Sequence, residues 1–196
     1  MDNSVEYISF KARVALLHTV KWYIKLDLKD GYRQLPVHPS EWRTQVYTLG
    51  PNEFYIDIAM PFGKANSSKL FCKWSGLWFD SCVTRFRQCY RLHAALDSYV
   101  DDTFGGTLHT QTSQKLIDYI TDSGASHGAE VNLRKTRGPA TRMVILGLHY
   151  DSCSEVCALD PAKVKKYTCR IETILREGGT SSKNLEKIIG NLVFAA

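Results

Sequence analysis

The chain has 196 residues, 44% of them hydrophobic and 11% aromatic, enough to bury one sizeable core and begin a second lobe. Its net charge of +5 and pI near 8.8 suit a polyanionic partner and equally an ordinary basic surface, so charge alone assigns no function. No run approaches the roughly 20 apolar residues of a membrane span, and MDNSVEYISF lacks the basic-then-apolar order of a signal peptide, so an intracellular chain with no membrane role is expected.

In chain order, YIKLDL (23–28) alternates as a strand, with Asp27 where strand meets loop. RTQVYTLG and EFYIDIAM alternate at period two on either side of Gly50-Pro51-Asn52, the pattern of a hairpin. From Ser67 the period lengthens: Leu70, Phe71, Trp74, Leu77, Trp78, Cys82, Val83 and Phe86 recur at helical spacing, with Ser67 or Ser68 as N-cap. That aromatic stripe reads as core. SYVDDTFGG (98–106) then sets two carboxylates side by side between β-formers, at the turn of a second hairpin.

A shorter helix carrying Leu116, Ile117 and Ile120 ends at Gly124, and MVILGLHY reads as one apolar strand. Asp160-Pro161 opens a helix that Gly178-Gly179 stops, and a last helix begins near Ser181 or Ser182. Its apolar end, Val-Phe-Ala-Ala, suggests that more protein covers it. From Asp160 onward seven basic residues stand against four acidic ones, which suits a phosphate backbone and is also common on solvated helices. The six cysteines, at 72, 82, 89, 153, 157 and 169, read as reduced thiols in a chain without a secretory signal. His149, Cys153, Cys157 and Cys169 are soft zinc ligands by type, but they lack the close cysteine pairs of a zinc site, and incidental thiols are the favoured reading.

Adjacent carboxylates such as Asp101 and Asp102 repel, and either solvation at a turn or a divalent cation relieves the repulsion. If the strand ending at Asp27 neighbours that hairpin, three carboxylates converge with no Lys or Arg needed between them, an arrangement for hard cations. Two Mg2+ ions about 4 Å apart would then serve phosphoryl or nucleotidyl transfer. Taken singly, Asp27 is a strand-end turn residue; the combination favours the site.

LDLKDGYRQLPV, MPFGKANSSKLF and YVDD, continued by GAEVNLRKT and VILGLHYD, resemble in that order the palm motifs of retroelement reverse transcriptases. The resemblance spans roughly residues 22–150. Within the family, the run from YVDDTFGG to GPATRMVILGLHYD is similar to retrotransposons that carry a tyrosine recombinase, the DIRS-like type. It implies an α+β fold, a palm-type antiparallel sheet backed by helices, over 21–158. Residues 1–20 would be a remnant of fingers or lead-in, and 159–196 the start of a helical thumb. Only some 20 residues precede the first motif, so little of a fingers lobe is expected.

Residue by residue, the resemblance implies metal ligation by Asp27, Asp101, Asp102 and the Leu28 carbonyl, with two Mg2+ ions, or Mn2+, as cofactors. Lys29, Asp30, Gly31, Tyr32, Phe62 and Gly63 would line the nucleotide, Tyr32 leaving no room for a 2′-hydroxyl. Lys135 would protonate the leaving pyrophosphate, and Leu146, Gly147 and Leu148 would form the hairpin that holds the primer end; as a simple apolar strand that run would look the same. Ser67-Ser68 stands where many retroelements have Ala-Pro, and Gly31 where Ala is commoner. The implied partners are an RNA or DNA template with primer, dNTP, and further parent domains such as RNase H, integrase or recombinase. A palm that only binds nucleic acid or protein is the alternative reading, and a cyclase-type palm enzyme a third.

Overall fold

The computed structural model describes residues 9–64 and 66–195. It divides into two units, the first ending at Thr141 and the second beginning at Arg142, so the stretch read as one domain, 21–158, crosses that division.

Alternation in the first unit builds a two-faced strand, β1 (Trp22–Asp27), which sends Ile24 and Leu26 into the core and Lys25 and Asp27 to the other face. It is preceded by α1 (Phe10–His18), an element that periodicity did not signal; the Ser9 hydroxyl caps it, accepting the Ala12 N–H at 3.2 Å. After β1 the chain forms the expected hairpin of β2 (Val46–Gly50) and β3 (Glu53–Ile56), paired from Val46 with Ile56 to Gly50 with Glu53.

The long helix α2 (Ser67–Tyr90) buries Phe71, Phe79, Cys82, Val83 and Phe86, each aromatic contributing roughly 1.5–3 kcal/mol. Leu70 and Leu77 of the expected stripe stay exposed. Its N-cap is Asn66 rather than either serine, because a tight turn bonding the Ser67 N–H to the Lys64 carbonyl at 3.1 Å starts the helical path earlier. Arg91, at φ 53°, ends it in a left-handed cap.

Next come β4 (Ala95–Tyr99), β5 (Asp102–Thr107), α3 (Thr110–His127) and β6 (Arg137–Ala140). The four-stranded sheet runs β4-β5-β1-β6 with every neighbour antiparallel. Leu116, Ile117 and Ile120 pack on it as expected, but α3 continues beyond Gly124 to a cap at Gly128, φ 72°. Gly124 serves packing instead of ending the helix, since a Cβ there would run into the Ala129 carbonyl.

In the second unit MVILGLHY is not one unbroken strand, and it turns where the resemblance implies a hairpin. It folds into β7 (Arg142–Ile145) and β8 (Leu148–Asp151), with Ile145 paired to Leu148 across a turn in which Leu146 has φ 47° and Gly147 φ 82°. A third strand, β9 (Val156–Leu159), joins β8. Asp160 caps α4 (Pro161–Glu177) by accepting the Ala162 N–H at 3.0 Å, with proline at the first helical position. Gly178 ends it, and α5 (Ser182–Ala195) follows, its start tied by the Asn184 N–H to the Ser181 hydroxyl at 3.3 Å. Among the described residues no helix is long and apolar enough to cross a membrane.

Candidate active site

β1 is a central strand, and the face that carries Lys25 and Asp27 meets that of β5 across the ladder. Asp27 is the register partner of Asp102, and Asp102 is also the partner of Tyr99 on β4. The two strands β4 and β5 are joined by Val100 and Asp101 alone, with Val100 held at φ 57°. A β-branched residue is a genuine outlier there. Asp101 is exposed in that turn. The three carboxylates therefore gather at one end of the sheet.

Two cations stand against these carboxylates. The Lys25 ammonium is 3.0 Å from Asp102, and the Lys135 ammonium is 3.2 Å from Asp27. Alternation explains the first: Lys25 shares a face with Asp27, and its long side chain reaches the diagonal neighbour on β5. A backbone clasp explains the second. The Asn132 N–H donates to the Asp27 carbonyl at 2.8 Å, Leu28 bridges to Val131, and the Lys29 N–H donates to the Glu130 carbonyl at 2.9 Å. The Asn132 carbonyl then accepts the Lys135 N–H at 3.1 Å, which turns Lys135 back toward Asp27. The Gln34 side chain closes the clasp, bonding the Lys29 carbonyl and both the N–H and carbonyl of Glu130.

Beside the carboxylates, the 3-10 turn Gly31–Gln34 carries Tyr32, whose ring lies 4.9 Å from Phe62 and 4.8 Å from Phe71 between centroids. Tyr32 is thus half core, half lining, and Phe62 is exposed. Gly31 and Gly63 have φ of 46° and 87° with open space where a Cβ would be, so backbone conformation explains these glycines better than close approach. Lys29 is paired with Glu130 at 2.8 Å, and the Leu28 carbonyl accepts the Gly31 N–H at 3.4 Å. Asp30 stands in a left-handed conformation, φ 58°. Leu146, Gly147 and Leu148 belong to the second unit, at the β7–β8 turn.

Sequence reasoning missed Lys25, Gln34 and the two-bond pair of Arg33 with Asp57, at 2.8 and 3.0 Å. Strand alternation was a usable signal for Lys25; nothing local signals partners 24 or 96 residues away. Arg33 holds the Asp57 carboxyl below its ordinary value. Burial pushes Asp97, on β4, the other way.

The donor set of carboxylates and a backbone carbonyl suits a hard cation, and the two ammoniums already hold cationic charge on Asp27 and Asp102. As they stand, no three His, Cys, Asp or Glu side chains among the described residues are grouped to hold a metal ion. The same holds for His149 and Cys157, which fall on opposite faces of the β8–β9 ladder; Cys153, Cys157 and Cys169 are free thiols.

An antiparallel sheet backed by two helices, with carboxylates on a β-turn and on the neighbouring strand, defines a palm-type fold. The family described as reverse transcriptase (RNA-dependent DNA polymerase) matches residues 2–150, and the chain belongs to that family. Among solved structures, a foamy viral protease-reverse transcriptase in complex with double-stranded DNA is similar at 19% identity and TM-score 0.72, over 93% of this chain and 29% of that one. The foamy viral protein with an RNA/DNA hybrid matches at 20% identity and TM-score 0.67, over 93% of this chain and 22% of that one. A further double-stranded DNA complex matches at 18% and 0.71, over 98% and 37%. The chain thus spans well under half the length of these structures. None of the curated proteins matches it.

Proposed function

We propose that this chain is the palm of an RNA-directed DNA polymerase that adds a deoxynucleotide to a primer 3′-hydroxyl. The observation that carries it is the register pairing of Asp27 with Asp102 beside the Asp101 turn, in a chain of the reverse transcriptase family. Asp27, Asp101, Asp102 and the Leu28 carbonyl would hold two Mg2+ ions, with Mn2+ as substitute. Such ions favour the alkoxide of the attacking hydroxyl and offset charge on the leaving pyrophosphate. Tyr32, backed by Phe71 and flanked by Phe62, would sit under the sugar and exclude a 2′-hydroxyl. Lys135 would carry the proton that the pyrophosphate takes on leaving. Lys29, Asp30, Gly31 and Gly63 would shape the nucleotide's surroundings, and the Leu146-Gly147-Leu148 turn would hold the primer end.

The foamy viral structures contain double-stranded DNA and an RNA/DNA hybrid, which supports a template-primer as partner here. Contacts to the phosphate backbone, not base readout, would dominate. We assign 1–20 to the lead-in from a fingers lobe, 21–158 to the palm and 159–196 to the start of a thumb. The parent would be an intracellular retrotransposon polyprotein of the DIRS-like type, with RNase H, integrase or recombinase domains. A palm that only binds is less favoured, because an unused site has no need to keep its carboxylates in register.

The test is primer extension on poly(rA)/oligo(dT) with dTTP and Mg2+, comparing the chain with its Asp101→Ala, Asp102→Ala variant, each also joined to a fingers lobe. Extension that the variant loses is expected. Failure in both formats would leave a binding-only palm.

A further inference from the structure

We propose that Lys25 is the built-in counter-cation of Asp102, occupying that carboxylate until nucleotide is bound and so setting how weakly the free protein holds divalent cations. The inference rests on the metal reading above and goes beyond it, since no motif of the site includes Lys25.

The two ammoniums at the site differ. Lys135 stands on a loop with its side chain 65% exposed, so its ammonium can swing into water when a cation reaches Asp27. Lys25 is rooted in β1, the central strand, with register partners Phe104 on β5 and Arg137 on β6. Its side chain is 25% exposed and that of Asp102 28%. Partial burial weakens the screening that makes exposed pairs nearly worthless. In the free protein Lys25 therefore stays, and Asp102 stays with it.

Asp101 is exposed and enters no ion pair among the described residues. A cation arriving from solvent meets Asp101 first, while Asp102 and the buried Asp27 each stand against an ammonium. Three carboxylates against two ammoniums leave a single net negative charge, too little to hold a divalent cation tightly without the further negative charge of a bound triphosphate. The ordinary reading of Lys25, a pair that merely steadies the strand, makes no such statement about metal.

Mn2+ binding to the full chain without nucleotide, read from the electron paramagnetic resonance signal of free Mn2+, tests this. Lys25→Met keeps the apolar stem, and Lys25→Gln is a second variant should the first fail to fold. Each should bind Mn2+ about tenfold tighter, the size of one unit charge acting on a divalent ion at this range in a water-like dielectric. The gain should shrink in the Asp102→Asn background, where only the direct charge of Lys25 is left to remove, and Lys25→Arg should keep wild-type affinity. Unchanged or weaker binding in the Lys25 variants, or a gain undiminished in Asp102→Asn, overturns the proposal. Asp27→Asn separates this from the metal reading itself: it should abolish Mn2+ binding, and undiminished binding would remove both.

Discussion

Asp27 and Asp102 face each other as register partners across β1 and β5, and each carries its own lysine, Lys135 and Lys25. Like charges on directly opposed strand positions destabilise a sheet. The lysines offset that repulsion, and the predictions that follow concern what else holds this end of the sheet and the second unit in place.

Val100 sits at φ 57° in the two-residue turn that presents Asp101. A β-branched side chain strains that conformation by about 1–3 kcal/mol, and glycine or asparagine relieves it. Val100→Asn should therefore raise stability by about 1 kcal/mol in urea unfolding. A loss of stability would mean that packing of the Val100 side chain outweighs the strain.

Two alanine substitutions should act in opposite directions. At Gly105, φ 153°, a Cβ would collide with the Ala95 carbonyl of the neighbouring strand, and at Gly106 with that of Trp22. Neither carbonyl can move without breaking the β4-β5-β1 ladder, so Gly105→Ala should cost about 3 kcal/mol or more. Gly76, inside α2, has open space where the Cβ would go. Gly76→Ala should gain about 0.5–1 kcal/mol. Thermal melts of the two variants beside the wild type decide it.

Asp151 closes the β8–β9 turn, receiving the Cys153 N–H at 2.9 Å and the Arg142 guanidinium at 2.8 Å. The Ser154 side chain, then the Cys153 amide, then Arg142 lower its carboxyl from 3.8 to about 2. A carboxyl depressed in the folded state contributes stability that is fully present above the unfolded value near 3.8 and is lost as pH falls through about 2. A carbon NMR titration should find a midpoint near 2. Asp151→Asn should flatten acid unfolding of the second unit over that window.

Tyr32 packs on Phe71 inside and Phe62 outside. In a working polymerase, Tyr32→Val should open room beside the sugar and raise ribonucleotide relative to deoxynucleotide use by roughly 10- to 100-fold. Single-nucleotide extension with dTTP and UTP measures the ratio. No change would place the selection elsewhere.

Local pattern determined much of this protein. Alternation marked β1 and the β2–β3 hairpin, helical spacing marked the α2 core, Asp160-Pro161 marked the start of α4, and five motifs in order marked the family. These are properties of neighbours in the chain, so they are written in the chain. What tertiary structure decided was which distant groups meet. Lys25 claims Asp102 across a strand, Gln34 clasps Glu130, and the turn at Asn132 brings Lys135 onto Asp27. Gly124 packs under Ala129 where a helix end was expected. No period in the sequence encodes such meetings, because register and packing arise only when the sheet has formed and its long side chains compete for the nearest opposite charge.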